Sequence, residues 1–124
     1  MVTLTAADNP GGSGLAVTRY SLDSGSSWLN YSSPVTISTA GTNLLLARSW
    51  DNAGNDEGPP AFKEVKIDKT LTSATTIYLF GTKGSNGWYA SNVGVEFEGV
   101  DNAGGSGMAG IEYSLNGGAS WLSY

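Results

Sequence analysis

The sequence predicts an all-β fold of about seven short strands, carried by a unit that repeats along the chain. Three observations predict it. Apolar and polar residues alternate with period two in short runs, and no segment shows the period of a helix. Clusters of Gly, Asn, Asp and Pro separate those runs. Residues 2–31 and 95–124 align without a gap at an offset of 93, with sixteen of thirty positions identical, which is internal duplication and not chance. Short strands between such turns fold as a sandwich or a barrel.

The offset sets a unit of about 93 residues, so the 124-residue chain holds one unit and part of another, cut out of phase. Met1 runs straight into the strand-like Val2–Ala6, which reads as a fragment boundary. The expected organisation is a first repeat over 1–68 that lacks its first strand, a polar linker over 69–75, and the opening strands of the next repeat over 76–124. The missing strand of the first copy has its counterpart at 76–80, continued at 88–90.

The remaining strands follow in order. One covers 2–7, with 93–100 as its copy. The next covers 15–22, with 108–115 as its copy. A tight turn at 23–27 leads to a short strand at 28–31. Strands at 34–38, 42–50 and 61–67 close the unit. Comparing the copies settles which face is apolar. Only the set Ala16, Thr18, Tyr20, Leu22 keeps an apolar character at its counterparts Ala109, Ile111, Tyr113, Leu115, so that set is expected to face the core. Val2/Val95 and Leu4/Phe97 are expected to point in, and Thr3/Glu96 and Thr5/Glu98 out.

Composition excludes several functions. Net charge is −5, and the six basic residues Arg19, Arg48, Lys63, Lys66, Lys69 and Lys83 are scattered, so no phosphate-tracking stripe exists and no nucleic-acid partner is expected. No apolar run approaches the roughly 20 residues that span a bilayer, so no membrane insertion is expected. Histidine and cysteine are absent, which removes the usual general base and the disulfide as a staple. Glu96, Glu98 and Glu112 could be drawn as a carboxylate pair for glycoside hydrolysis, but they fall on outward faces where the first copy has Thr3, Thr5 and Arg19. The expectation is a protein without catalytic activity and with no required cofactor.

Four groups of residues are candidates for a role. Ser21–Trp28 resembles the Ser-x-Asp-x-Gly-x-x-Trp Asp-box hairpin, and Ser114–Trp121 is its copy. Asp23 or Asn116 accepts backbone N–H groups there, Gly25 or Gly118 takes a positive φ, and Trp28 or Trp121 packs back over the strand. This is a structural turn that needs an acceptor and not a charge. The loops opening at Asp8, Asp51 and Asp101 combine Asp, Asn and Gly. That chemistry suits Asx-turns and also a structural Ca²⁺, with Asp8, Asp51, Asn52, Asn55, Asp56, Glu57 and Asp101 as candidate ligands. If Asp8 and Asp51 lie at one end of the fold, their loops could share an ion. Leu44, Leu46 and Trp50 would face away from Leu45 and Ala47. They suit either a central strand covered by a loop or a contact between subunits or repeats. Trp88 and Tyr89, with Trp50, could stack on sugar rings. Asn30-Tyr31-Ser32 has the form of a glycosylation sequon.

These motifs occur in a particular order. Asp-Asn-x-Gly-Gly-Ser-Gly leads to Tyr-Ser-Leu-Asp/Asn and Trp, then Pro34-Val35-Thr36-Ile37-Ser38, Gly41-Thr42, Arg48-Ser49-x-Asp51-Asn52-Ala53-Gly54-Asn55, Ile67-Asp68 and Asn86-Gly87-Trp88-Tyr89. The series resembles the bacterial and archaeal Ig-like tandem repeats, including the type named after a leptospiral outer-membrane protein. The resemblance covers nearly the whole chain. It implies an Ig-like antiparallel sandwich rather than a membrane barrel, and an extracellular or cell-surface setting. It also implies a structural role in a stalk, surface layer or filament, with neighbouring repeats or further copies as partners. The alternative it leaves is a carbohydrate- or surface-binding module of a secreted hydrolase or adhesin, with a polysaccharide as partner.

Overall fold

The structure is a computed structural model that describes residues 1–124. It is all-β, with eight strands, no helix and only antiparallel pairs. The chain divides into two compact units, Met1–Asp68 and Lys69–Tyr124.

In Met1–Asp68 a four-stranded sheet has the order β2-β1-β3-β4, formed by β1 (Leu15–Ser21), β2 (Leu29–Asn30), β3 (Gly41–Asp51) and β4 (Ala61–Ile67). β3 is central because it has the longest apolar run and can be flanked on both edges. It pairs with β1 through Tyr20↔Ala47 and Thr18↔Ser49, and with β4 through Leu45↔Lys63 and Asn43↔Val65. Cross-strand partners share a face. Thr18, Tyr20, Leu45, Ala47 and Val65 therefore line one side, and Arg19, Leu44, Leu46, Arg48 and Trp50 line the other. Leu45 is 3 % exposed and Val35 7 %, and they are the buried apolar centre of the unit.

The even-numbered set of β1 faces the core only in part. Thr18 and Tyr20 are half-buried, whereas Ala16 and Leu22 are exposed. The register shifts between Leu15 and Val17, so Ala16 is the extra residue of a bulge. The bulge reverses the alternation and turns Leu15 toward the side that Thr18 and Ala47 line.

Residues 2–7 do not form the expected strand. Only Val2 pairs, with Val35, through amide bonds of 2.8 and 2.9 Å. The expected strand at 34–38 is likewise reduced to this bridge. The faces are nevertheless as expected: Val2, Leu4 and Ala6 are half-buried, and Thr3, Thr5 and Ala7 are exposed. The period is present and the ladder is not, because a ladder needs a partner along the strand's whole length.

The copy of that segment in Lys69–Tyr124 has such a partner. β5 (Thr76–Phe80) pairs with β6 (Gly94–Glu98) through Ile77↔Phe97, Tyr78↔Glu96 and Leu79↔Val95. The Ser73 amide extends the pairing by donating to the Val100 carbonyl at 2.9 Å. The expected strand at 108–115 shrinks to β7 (Glu112–Tyr113), paired with β8 (Leu122–Ser123). Its counterpart β1 is longer because β3 lies along it, and this unit contains no counterpart of β3. No residue of Lys69–Tyr124 is buried. Its apolar centre is an aromatic cluster in which Phe97 stacks on Tyr113 at 5.4 Å and meets Tyr124 edge-on at 5.0 Å. Two-stranded sheets of this kind are marginal on their own.

Candidate functional site

The hairpin after β1 is held by a dense set of its own hydrogen bonds. Ser21 is 1 % exposed, and its Oγ donates to Asp23 Oδ1 at 2.7 Å while accepting the Gly25 amide at 2.9 Å. Asp23 accepts the Ser27 amide at 2.9 Å and the Ser27 hydroxyl at 2.5 Å. Trp28 Nε1 donates back to the Gly25 carbonyl at 3.2 Å. The Ser27 hydroxyl and amide, followed by the Ser21 hydroxyl, stabilise the charged carboxylate and hold Asp23 at a pKa of about 2.

The second hairpin uses the same bonds around a neutral residue. Asn116 Oδ1 accepts the Ser114 hydroxyl at 2.8 Å and the Ser120 amide at 3.0 Å, and Gly118 N–H donates to Ser114 Oγ at 2.9 Å. One bond reverses direction: Asn116 Nδ2 donates to Ser120 Oγ at 2.7 Å, where Asp23 accepts from Ser27. A serine hydroxyl can do either. Asp23, Gly25, Trp28, Asn116, Gly118 and Trp121 thus sit in turns whose bonds are internal, although the Trp121 ring is 59 % exposed.

The two acidic loops of Met1–Asp68 lie at one end of the sheet. Asn52 joins them, with Nδ2 donating to the Ser13 carbonyl at 2.9 Å and the Gly14 carbonyl at 3.0 Å, and its amide donating to Gly14 O at 2.9 Å. Asp8, Asp51, Asn55, Asp56 and Glu57 all border one concavity of about 550 Å³. Each aspartate is already engaged. Asp8 accepts the amides of Asn9 at 2.8 Å and Gly14 at 2.6 Å. Asp51 accepts the side-chain and backbone N–H of Asn55, at 2.9 and 2.8 Å, and these bonds lower its pKa. Asp56 pairs with Arg48. No three acidic side chains converge on a common point. Asp101 repeats the Asp8 loop, accepting Asn102 N–H at 2.9 Å and Gly107 N–H at 2.5 Å.

Leu44, Leu46 and Trp50 lie on the opposite face of β3, and all three are half-buried. Leu46 lies under the first hairpin: its Cδ1 is 3.5 Å from where a Cβ on Gly25 would sit. Trp50 carries two guanidinium groups, Arg19 at 5.1 Å and Arg48 at 5.4 Å from the ring centre. Sequence reasoning missed this cation–π cluster. Arg19 and Arg48 become neighbours only through the β1–β3 register, which no spacing along the chain reveals.

Trp88 and Tyr89 belong to a small hairpin closed by the bridge Lys83↔Tyr89 and the turn bond from Trp88 N–H to Ser85 O at 3.1 Å. Asn86 and Gly87, both with positive φ, form its tip. Trp88 is 77 % exposed, while Tyr89 is half-buried with its ring against Gly81.

No family model matches the chain, and no curated protein or solved structure is detectably similar to it.

Proposed function

We propose that the chain is part of an extracellular array of Ig-like structural repeats, in which each 93-residue bead is a spacer of a stalk, surface layer or filament. The observation that carries this is complementarity between the two units. Lys69–Tyr124 contains β5, the strand that residues 2–7 lack, and Met1–Asp68 contains β3 and β4, the strands that β7 lacks. Between them they carry the strands of one bead, with the segment 2–31 present a second time at 95–124. The matching bond patterns of the paired Asp-box turns and of the Asp8 and Asp101 loops support reading the units as copies of one fold. Repeat arrays bury a core within or between neighbouring units and so build length at low cost in sequence complexity. Arrays of one, two and four beads test it by small-angle scattering. The maximum dimension is expected to grow by a constant step per bead, and a compact particle with no such step rejects the spacer role.

A second reading has an observation of its own. Trp88 stands 77 % exposed beside a hairpin tip, a placement suited to stacking on a sugar ring. An accessory module that holds a polysaccharide would be retained on an insoluble glucan or chitin column, and Trp88→Ala would release it.

A further inference from the structure

The chain contains two Asn-Gly pairs, Asn86-Gly87 and Asn116-Gly117. Asparagine is among the thermally labile residues. Followed by glycine it is most so, because no side chain blocks the glycine nitrogen from the asparagine carbonyl carbon. Both pairs supply positive φ to a turn, at Asn86, Gly87 and Gly117, and turn chemistry accounts for their presence. It does not account for the difference between their surroundings.

The Asn116 side chain is held at every polar atom. Its Oδ1 accepts the Ser114 hydroxyl at 2.8 Å and the Ser120 amide at 3.0 Å, and its Nδ2 donates to Ser120 Oγ at 2.7 Å. Its carbonyl carbon cannot swing onto the Gly117 nitrogen without breaking these bonds. Asn86 has no such restraint. It is exposed, and neither its side chain nor the Gly87 amide makes a hydrogen bond. A Cβ built on Gly87 would meet nothing within 4 Å, so the space about the pair is open. The hairpin is closed around it, by the Gly84 amide on Trp88 O at 2.8 Å and the Trp88 amide on Ser85 O at 3.1 Å.

We propose that Asn86 is a site of spontaneous deamidation in the folded protein, with water as the only co-reactant. Gly87 N attacks Asn86 Cγ. The N–Cγ bond forms and the Cγ–Nδ2 bond breaks. The amide proton passes to a solvent base, and Nδ2 takes a proton from water and leaves as ammonia. Water then opens the five-membered succinimide. Cleavage at Cγ gives an aspartate in the ordinary main chain. Cleavage at the backbone carbonyl gives an isoaspartate, whose main chain runs through Cγ and is longer by a carbon. No electrons are transferred. Both products place a new negative charge near Trp88. The isoaspartate also lengthens the turn whose closing bonds position that ring.

The full chain is incubated at mildly alkaline pH, folded and in urea, and then cut after glutamate. Glu96, Glu98 and Glu112 separate Asn86 from Asn116, so mass spectrometry reads each site in its own peptide. In urea the two pairs should react at similar rates, since the reacting atoms are the same. In the folded chain Asn86 should react at least about tenfold faster than Asn116, the factor that one or two net hydrogen bonds confer. Isoaspartate should appear at position 86. Ser120→Ala removes the Nδ2 partner and should raise the Asn116 rate several-fold while leaving that of Asn86 unchanged. Three results overturn the proposal: a folded Asn86 that reacts no faster than Asn116, one that stays intact while both sites react in urea, or an Asn116 rate that Ser120→Ala does not move. The repeat reading stands or falls independently of all three.

Discussion

Asp23 holds Ser27 with both carboxylate oxygens, one on the amide at 2.9 Å and one on the hydroxyl at 2.5 Å. The pair closes the hairpin that covers Leu46, and it makes the hairpin sensitive to acid. The folded pKa of about 2 lies below the unfolded value of 3.8. A depressed carboxylate contributes stability that is fully present above the unfolded pKa and disappears as pH falls through the folded one. Stability is therefore expected to fall between about pH 4 and pH 2. Carboxyl-detected NMR should place the Asp23 midpoint near the lower limit. Asp23→Asn should flatten this pH dependence while keeping the hairpin, since Asn116 already serves in the second one.

The two central residues of the same turn should respond in opposite directions. Ser24 has φ 59°, a left-handed value, and its counterpart is Gly117 at 70°. Ser24→Gly relieves that cost and should stabilise Met1–Asp68 by about 0.5–1 kcal/mol after the entropy of the added glycine. Gly25 has φ 88° and lies over Leu46. Gly25→Ala should cost about 1–2 kcal/mol. Urea unfolding followed by Trp fluorescence measures both.

Burial is concentrated in one unit, so core truncations should be unequal. Leu45 is 3 % exposed, and Leu45→Ala should cost about 2–5 kcal/mol. Leu79 is 50 % exposed, and Leu79→Ala should cost less than about 1.5 kcal/mol. Hydrogen exchange should show the same contrast, with slow amides in β3 and fast ones in β5 and β6.

Asn52 ties the two acidic loops through its side chain, beside the Ala53 amide, which donates to the Ser13 hydroxyl at 3.0 Å. Asn52→Ala removes its side-chain bonds to Ser13 O and Gly14 O. The expected cost is about 1 kcal/mol, with faster exchange of the Gly14 and Asn55 amides. A variant with unchanged exchange in both loops would show that the loops hold their places independently.

Tyr78 donates to Glu98 at 2.9 Å, and this bond together with the carboxylate's charge raises its pKa above 10.0. A raised pKa contributes stability that is present below the unfolded value and lost as pH rises through the folded one. Site-resolved NMR titration should find Tyr78 ionising above its ordinary value, and Glu98→Gln should lower that midpoint.

Much of this was legible in the residues. The facing of Val2, Leu4, Thr3 and Thr5 followed from comparing two copies, and the Asp-box bonds followed from the chemistry of Ser, Asp and Gly at fixed spacing. Both depend on neighbours along the chain. The strands at 2–7, 34–38 and 108–115 were overestimated because alternation states which face a residue prefers, not whether a partner lies alongside. The bulge at Ala16 was hidden for a similar reason, since it exists only in the register of β1 against β3. The Arg19–Trp50–Arg48 cluster came from the same register. Asp8, Asp51, Asn55, Asp56 and Glu57 border one concavity at an end of the sheet, but N–H groups of Asn9, Gly14 and Asn55, which carry no charge pattern, already occupy the oxygens of Asp8 and Asp51, and Asp101 lies in the other unit.

The claim that the two units are complementary parts of one bead is tested most directly by joining them in repeat order, with residues 69–124 followed by 32–68. Thermal unfolding of this chain, followed by far-ultraviolet circular dichroism and calorimetry, is the measurement. A monomer with a single cooperative transition, melting above the 124-residue chain, is the expected result. A chain that is unfolded, or that melts without cooperativity at or below the temperature of the 124-residue chain, would contradict it.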